Sequence, residues 1–323
     1  MDGMQKWMWV LVVILASGCS RVAAPPPTRL VPTRMPTIAP SPTSTAPDSG
    51  DTGWIAAAHG VEVRTLRVAG VVPDVATPIY AVRLNPALVR LRIRYTPDTP
   101  QPLRTWVAAH HPLVAVNGGF FTADNRATAL IVADGKAHGA SYAGFGGMLA
   151  ASVDGRIWIQ ALRDEPYDPA TPLDQAIQSF PMLVYPGGAV AEITDNGQRA
   201  RRTAVAMDRA GRLLIIVCPT SAFSLQALAT WLASSDLEID RALNLDGGSS
   251  SGLFVDAGDI RWQIDSFAAL PSVLLVEPRA PGGEGDSRTG RADVTVTDRR
   301  DQFGPVMSRV RKKCSERNRN SAE

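Results

Sequence analysis

Ala242-Leu-Asn-Leu-Asp246-Gly-Gly-Ser-Ser-Ser-Gly252 is the stretch from which the rest of the 323-residue chain is best read. An apolar strand ends on a carboxylate, and glycines and hydroxyls follow. Asp246 then stands at the rim of a sheet, and the N–H groups of a Gly247-Gly248 turn are placed to form an anion nest. The stretch also contains Gly248-Ser249-Ser250-Ser251-Gly252, which fits the G-x-S-x-G elbow of serine hydrolases. An elbow leads into a helix, whereas Gly252-Leu-Phe-Val255 reads as a strand. That fold also places its histidine after the serine, and the four histidines here are His59, His110, His111 and His138. A serine hydrolase is therefore excluded.

Upstream, β-branched alternating runs separated by turn dipeptides predict hairpins. Val61–Ala69, Ile79–Leu84 and Leu88–Tyr95 read as strands. Asp134-Gly135, Asp154-Gly155 and Asp195-Asn-Gly197 supply the Asx-Gly chemistry of tight turns, and Asp208-Arg-Ala-Gly211 a fourth connection. Glu192–Thr194 reads as the strand before the third of these. Helical spacing is rarer: Pro102–His111, a short segment at Asp174–Phe180, and Ser224–Ser234 with Ser224 as N-cap. The expected fold is mixed α/β, a single domain of twisted, largely antiparallel or mixed sheets over residues 54–278. Cys218 ends an apolar run and reads as a buried small hydrophobe.

Three more loop motifs stand at strand ends. Val114-Ala-Val-Asn117-Gly118-Gly119-Phe120-Phe121 delivers an amide, two glycines and two aromatics. Gln178-Ser-Phe-Pro181 leads through Met-Leu-Val-Tyr-Pro to Gly187-Gly188. Arg201-Arg202-Thr203-Ala204 brings two cations to a strand entrance, where a guanidinium can grip phosphate or carboxylate at two points. Metal-ligand spacing is lacking. Asp236, Glu238 and Asp240 alternate without the glycine of a calcium loop, so no metal or other cofactor is expected.

The flanks read differently. Lys6, the apolar run Trp7–Ala16 and Ala16-Ser-Gly-Cys19 resemble a bacterial lipoprotein signal over residues 1–19. Lipidation of Cys19 would then place the protein on the outer side of the cell membrane. Residues 20–53 read as a Pro/Thr/Ser-rich stalk and residues 279–323 as a disordered basic tail. Net charge is +2 overall, but it divides into +2 for residues 1–50, −4 for 51–278 and +4 for the tail. A folded part that is net acidic gives no footprint for nucleic acid. A monomer is expected.

In this order, the four motifs resemble the phosphodiester glycosidase family, over roughly residues 57–277. The matching stretches are Asn117–Phe121, Phe180–Gly187, Arg202–Ala204 and Leu243–Ser251. Departures from the family pattern are Ala206 where Gly is usual, Cys218-Pro219 in place of a turn, and Ser249 where Gly is frequent. The resemblance implies hydrolysis of a sugar-1-phosphodiester in a glycan or glycoconjugate. It also implies Asp246, Arg202 and Asn117 as catalytic residues, with Gly118, Gly119, Phe121, Thr203, Gly247, Gly248, Ser249 and Ser250 contacting substrate. Asp208 or Glu192 is the candidate second carboxylate. A non-catalytic glycan-binding lipoprotein on the same fold stays open as the alternative.

Overall fold

The computed structural model describes residues 50–279 apart from Pro73 and Asp74; the signal, most of the stalk and the tail lie outside the described residues. The chain opens with strands β1 (Ile55–Ala58), β2 (Val61–Val72), β3 (Val75–Leu84) and β4 (Val89–Tyr95), then helix α1 (Leu103–His110) and β5 (Val114–Asn117). There follow β6 (Ile131–Ala133), β7 (Lys136–His138), β8 (Gly147–Ser152), β9 (Ile157–Ala161), β10 (Leu173–Ser179), β11 (Met182–Tyr185) and β12 (Ala189–Val190). The last part holds β13 (Ala200–Asp208), β14 (Leu213–Phe223), helix α2 (Leu225–Ser234), β15 (Ile239–Asn244), β16 (Leu253–Ala257), β17 (Ile260–Ile264) and β18 (Ser272–Pro278).

The strands form three sheets: an eight-stranded one ordered β1-β2-β3-β14-β13-β15-β11-β12, and two five-stranded ones, β7-β6-β10-β8-β9 and β17-β16-β5-β18-β4. Every pairing among the described strands is antiparallel. The domain is thus mostly β with two helices, at the antiparallel end of the expected mixed class. The folded region begins slightly before residue 54, since Thr52 N donates to Thr65 O at 3.0 Å.

One core joins all three sheets. Alternate residues of the large sheet, including Val82, Val205, Ile215 and Leu243, pack with Leu91, Val116 and Leu274 of one small sheet and Ile131, Leu149 and Ile177 of the other. The opposite face of the large sheet, with Ala204, Ala206 and Ile216, is covered by Leu228, Ala229 and Leu232 of α2. Ala206, one of the departures from the family pattern, is fully buried there. Leu103 and Trp106 of α1 cover Ala115, Val273 and Leu275 in the same way. Cys218 is a buried free thiol inside the long strand β14.

Two local expectations change. Leu173–Ser179 is strand β10 and not a helix. It is the middle strand of its sheet, flanked by β6 and β8, and is buried on both faces, so strict alternation is lost. Its glutamines imitate helical spacing, yet Gln175 Oε1 accepts from Ile93 N and Gln178 Oε1 from Tyr142 N, both at 2.8 Å. Glu192–Thr194 is irregular, and Asp195 turns onto its own loop by accepting from Gly197 N at 3.0 Å. The Asp134-Gly135 turn does join β6 to β7, with φ of 48° and 75° at its two positions.

Helix α2 closes one face of the sheet that carries Arg202 and Asp246, and its start depends on a buried cap: Ser224 Oγ accepts from Ala227 N at 3.2 Å. Ser224→Ala removes that acceptor. A loss of about 1 kcal/mol in unfolding free energy is expected, read as a lower urea midpoint at unchanged m-value.

Candidate functional site

Asn117, the last residue of β5, is fully buried, and its amide is saturated. Nδ2 donates to Asp246 O at 2.7 Å and to Gly118 O at 3.1 Å. Oδ1 accepts from Thr203 Oγ1 at 2.8 Å and from Gly252 N at 3.2 Å. A side-chain amide offers two donors and two acceptor positions, and all are used inside the protein. Asn117 therefore locks the ends of β5, β13 and the segment after β15 to one another and has no capacity left for a sugar hydroxyl.

The register of β13 against β15 builds the next layer. Ala204 pairs with Asn244, and Leu245 N donates to Thr203 O at 2.9 Å. Beyond that paired register, Asp246 N donates to Gly118 O at 3.3 Å, and a Cβ on the next residue, Gly247, would stand 3.9 Å from Arg202 Nη1. Asp246 Oδ1 accepts from Gly247 N at 2.8 Å, and its carboxylate also accepts from the Ser250 hydroxyl. Burial nevertheless raises its pKa above the ordinary aspartate value, outweighing those two donors.

Arg202 lies on β13, the strand alongside β15. Its Nε donates to Phe223 O at 3.0 Å and its Nη2 to Gln198 O at 2.8 Å. These two carbonyls fix the plane and leave Nη1 toward Gly247, 3.9 Å from where a Cβ would stand. Among the described residues no carboxylate forms an ion pair with Arg202, and burial pushes its pKa down. A guanidinium remains charged in a protein. Arg201 points to the other face of β13 and is 7% exposed. Its Nη2 donates to Asp265 O at 3.0 Å, while Nε and Nη1 are buried without a partner. The ring of Phe267 lies 4.2 Å over this guanidinium.

The remaining predicted residues divide by what surrounds them. Thr203 is fully buried and serves Asn117 and Ser251, whose Oγ lies 3.0 Å away. Gly118 and Gly119 allow close packing: a Cβ would stand 2.1 Å from Ser272 Oγ at Gly118 and 3.0 Å from Gln178 O at Gly119. Gly247 has the same role against Arg201 O, at 2.9 Å, and its N–H is spent on Asp246. Gly248, at φ 60°, and Ser249 face open space at the start of a short 3-10 turn. Ser250 is buried beneath Asp246.

Some positions carry less, or more, than the sequence indicated. Phe121 is half-buried and bridges to Ala127. It is Phe120 that stacks against Phe180, at 4.7 Å, in a cluster completed by Tyr142 and the exposed Phe145. Asn244 anchors this wall by donating to Phe180 O at 2.9 Å. Asp208 closes its own hairpin through Arg212 at 2.6 Å, about 20 Å along β13 from Arg202. Glu192 acts on Arg163, which lies over Tyr185 at the far end of β11. Neither joins Asp246. Asp236 and Asp240 are spent on Arg64 and Arg241, at 2.8 and 2.7 Å. Among the described residues no group of three or more His, Cys, Asp or Glu could hold a metal ion.

The family model for phosphodiester glycosidases matches residues 110–277, the span that carries this constellation, and the chain belongs to that family. The fold is similar to the catalytic domain of zebrafish N-acetylglucosamine-1-phosphodiester α-N-acetylglucosaminidase, auto-inhibited by its pro-peptide. The match has a TM-score of 0.55 at 19% identity, covering 70% of this chain and 88% of that one. A hypothetical protein from Synechocystis matches with a TM-score of 0.48 at 16% identity, over 68% of this chain and 62% of that one. No curated protein matches.

The raised pKa of Asp246 has a thermodynamic sign. A carboxyl that binds its proton more tightly folded than unfolded contributes stability at low pH, and loses it as pH rises through the folded value. Asp246→Asn is neutral throughout and escapes that loss. Its melting temperature should equal or exceed the wild type's at pH 7, and the difference should shrink as the pH falls toward about 4.

Proposed function

We propose that the chain hydrolyses a sugar-1-phosphodiester, releasing the free sugar and a phosphomonoester. The observation that carries this reading is that Asp246, a carboxylate of raised proton affinity, and Arg202, a cation without an acidic partner among the described residues, both flank Gly247. Attack on the anomeric carbon forms a C1–O bond to water and breaks the C1–O bond to phosphate, whose oxygen keeps the electron pair. Asp246 receives the proton from the attacking water and its charge stabilises the oxocarbenium-like transition state. Phosphate is a good leaving group and needs little acid assistance. Arg202 Nη1 and the Gly248 amide are the donors placed for its developing charge. Asn117 and Thr203 position these groups without touching substrate. The wall of Phe120, Phe180, Tyr142 and Phe145 offers apolar ring faces beside the site, as sugar rings require.

A second reading, a glycan-binding protein without turnover, is favoured by one observation: neither Asp208 nor Glu192 stands with Asp246 as a second carboxylate. The lipidated anchor at Cys19, the stalk and an outer-face location on the cell membrane are part of the same proposal. They rest on the sequence pattern, and a phosphorylated envelope or extracellular glycan fits them as substrate.

Incubating the full chain with a panel of sugar-1-phosphodiesters separates these readings. Sugar release is expected from at least one, with Asp246→Asn lowering kcat by about 10²–10³ and Arg202→Lys by about 10². Binding with no release from any member would establish the second reading, and an Asp246→Asn variant as active as wild type would remove Asp246 from the chemistry.

A further inference from the structure

The Arg201 side chain is unusual in what it lacks. Guanidinium groups taken out of water are ordinarily paired, because an unpaired buried charge is strongly unfavourable. Arg201 has one hydrogen bond, to the backbone of Asp265, and two buried nitrogens with no partner. The carboxylate nearest in charge terms, that of Asp265, is already engaged by Arg104 Nη1 and by the amides of Arg104 and Ser266. The ring of Phe267 lies 4.2 Å over Arg201, and a ring face compensates a buried cation only in part.

Phe267 is equally unusual, being a large apolar side chain left 81% exposed. Its backbone is fixed: Phe267 N and Ala268 N both donate to Ser249 O, at 2.7 and 3.0 Å, and Ser266 Oγ donates to Ala268 O at 2.8 Å. Ser266 Oγ in turn accepts from Leu103 N at 3.1 Å, tying the loop to α1. The ring can therefore swing about χ1 while the loop stays in place, which is a fast motion for an exposed side chain. That swing takes the ring away from the Arg201 guanidinium, whose Nη2 stays on the carbonyl of Asp265.

We infer that Arg201 and Phe267 form a second oxyanion subsite, in which Arg201 binds a phosphate-class group and Phe267 is its movable cover. The inference rests on the phosphodiester reading of the neighbouring Asp246–Arg202 pair and extends it. A substrate that fills both positions carries two anionic groups, one cleaved at Arg202 and one held at Arg201, as in a glycan with successive phosphates. The backbone carbonyl of Ser249 is the point on which the covering loop is hung.

Arginine modification reads this subsite directly. The full chain and its Phe267→Ala variant are treated with phenylglyoxal, with and without inorganic phosphate. The products are located by fragment-ion sequencing, since Arg201 and Arg202 are adjacent. Arg201 should react slowly in the wild type and rapidly in Phe267→Ala. Phosphate at about ten times its dissociation constant should slow the Arg201 reaction in the variant roughly tenfold. Failure of Phe267→Ala to expose Arg201, or exposure without protection by phosphate, overturns the inference. Protection of Arg202 alone overturns it too, while leaving the phosphodiester reading standing; protection of neither removes both.

Discussion

The site depends on the carboxamide of Asn117. Three segments far apart in sequence meet at this one buried side chain: the β5 terminus itself, β13 through the hydroxyl of Thr203, and the stretch after β15 through the carbonyl of Asp246 and the amide of Gly252. Each of these groups is buried or partly buried, and an aliphatic residue at position 117 would remove a partner from every one of them, leaving Thr203 only its contact with Ser251. Leaving a buried polar group unpaired costs about 1–3 kcal/mol. The amide is also the only side-chain chemistry that supplies two donors and two acceptor positions from one small planar group. Asp would repel the carbonyls that Nδ2 now serves. Through Asn117 the end of the central strand of one sheet fixes where the strand ends of another must lie, and the placement of Arg202 and Asp246 follows from it.

Charge is handled locally. The folded part of the chain is net −4 and carries no field that would draw a phosphate from a distance. The cations without a carboxylate hydrogen bond include two arginines on opposite faces of one strand end, Arg201 and Arg202, and the proposed attraction for phosphate is local to them. Most other arginines of the domain are neutralised in place, as Arg64 is by Asp51 and Asp236, and Arg92 and Arg94 by Asp134. Burial at Asp246 works in the same direction. In the proposed hydrolysis it removes solvent that would otherwise screen the carboxylate from a developing positive charge on a sugar ring.

Much of this was legible in the sequence, for identifiable reasons. The hairpins show because Asx-Gly turns need positive φ that few other pairs accept, and Asp134-Gly135 adopts it at both positions. Helix α2 shows because Ser224 caps an apolar stripe. The long-range order of the four motifs, taken together with the family they resemble, pointed to Asn117, Arg202 and Asp246 in one place. Roles were less visible than positions. Thr203, Gly118 and Gly119 look like ligand contacts in sequence, but only packing distances reveal that they serve neighbouring strands. Strand β10 was hidden because a strand buried on both faces loses its alternation, and its glutamines then imitate a helical period. The aromatic wall was half hidden, since nothing local distinguishes Phe120 from Phe121. Nothing in the Arg201-Arg202 pair told which arginine is buried with two unpartnered nitrogens beside Phe267.

The claim that one buried amide organises the site is tested most directly by a double-mutant cycle between Asn117 and Thr203 in chemical denaturation. Asn117→Ala, Thr203→Val and the double variant are compared with the wild type. A shared, saturated network predicts a coupling energy of about 1–3 kcal/mol, the second substitution costing much less once the first is made. Additivity within about 0.5 kcal/mol would contradict it and would reduce Asn117 to one packing residue among many.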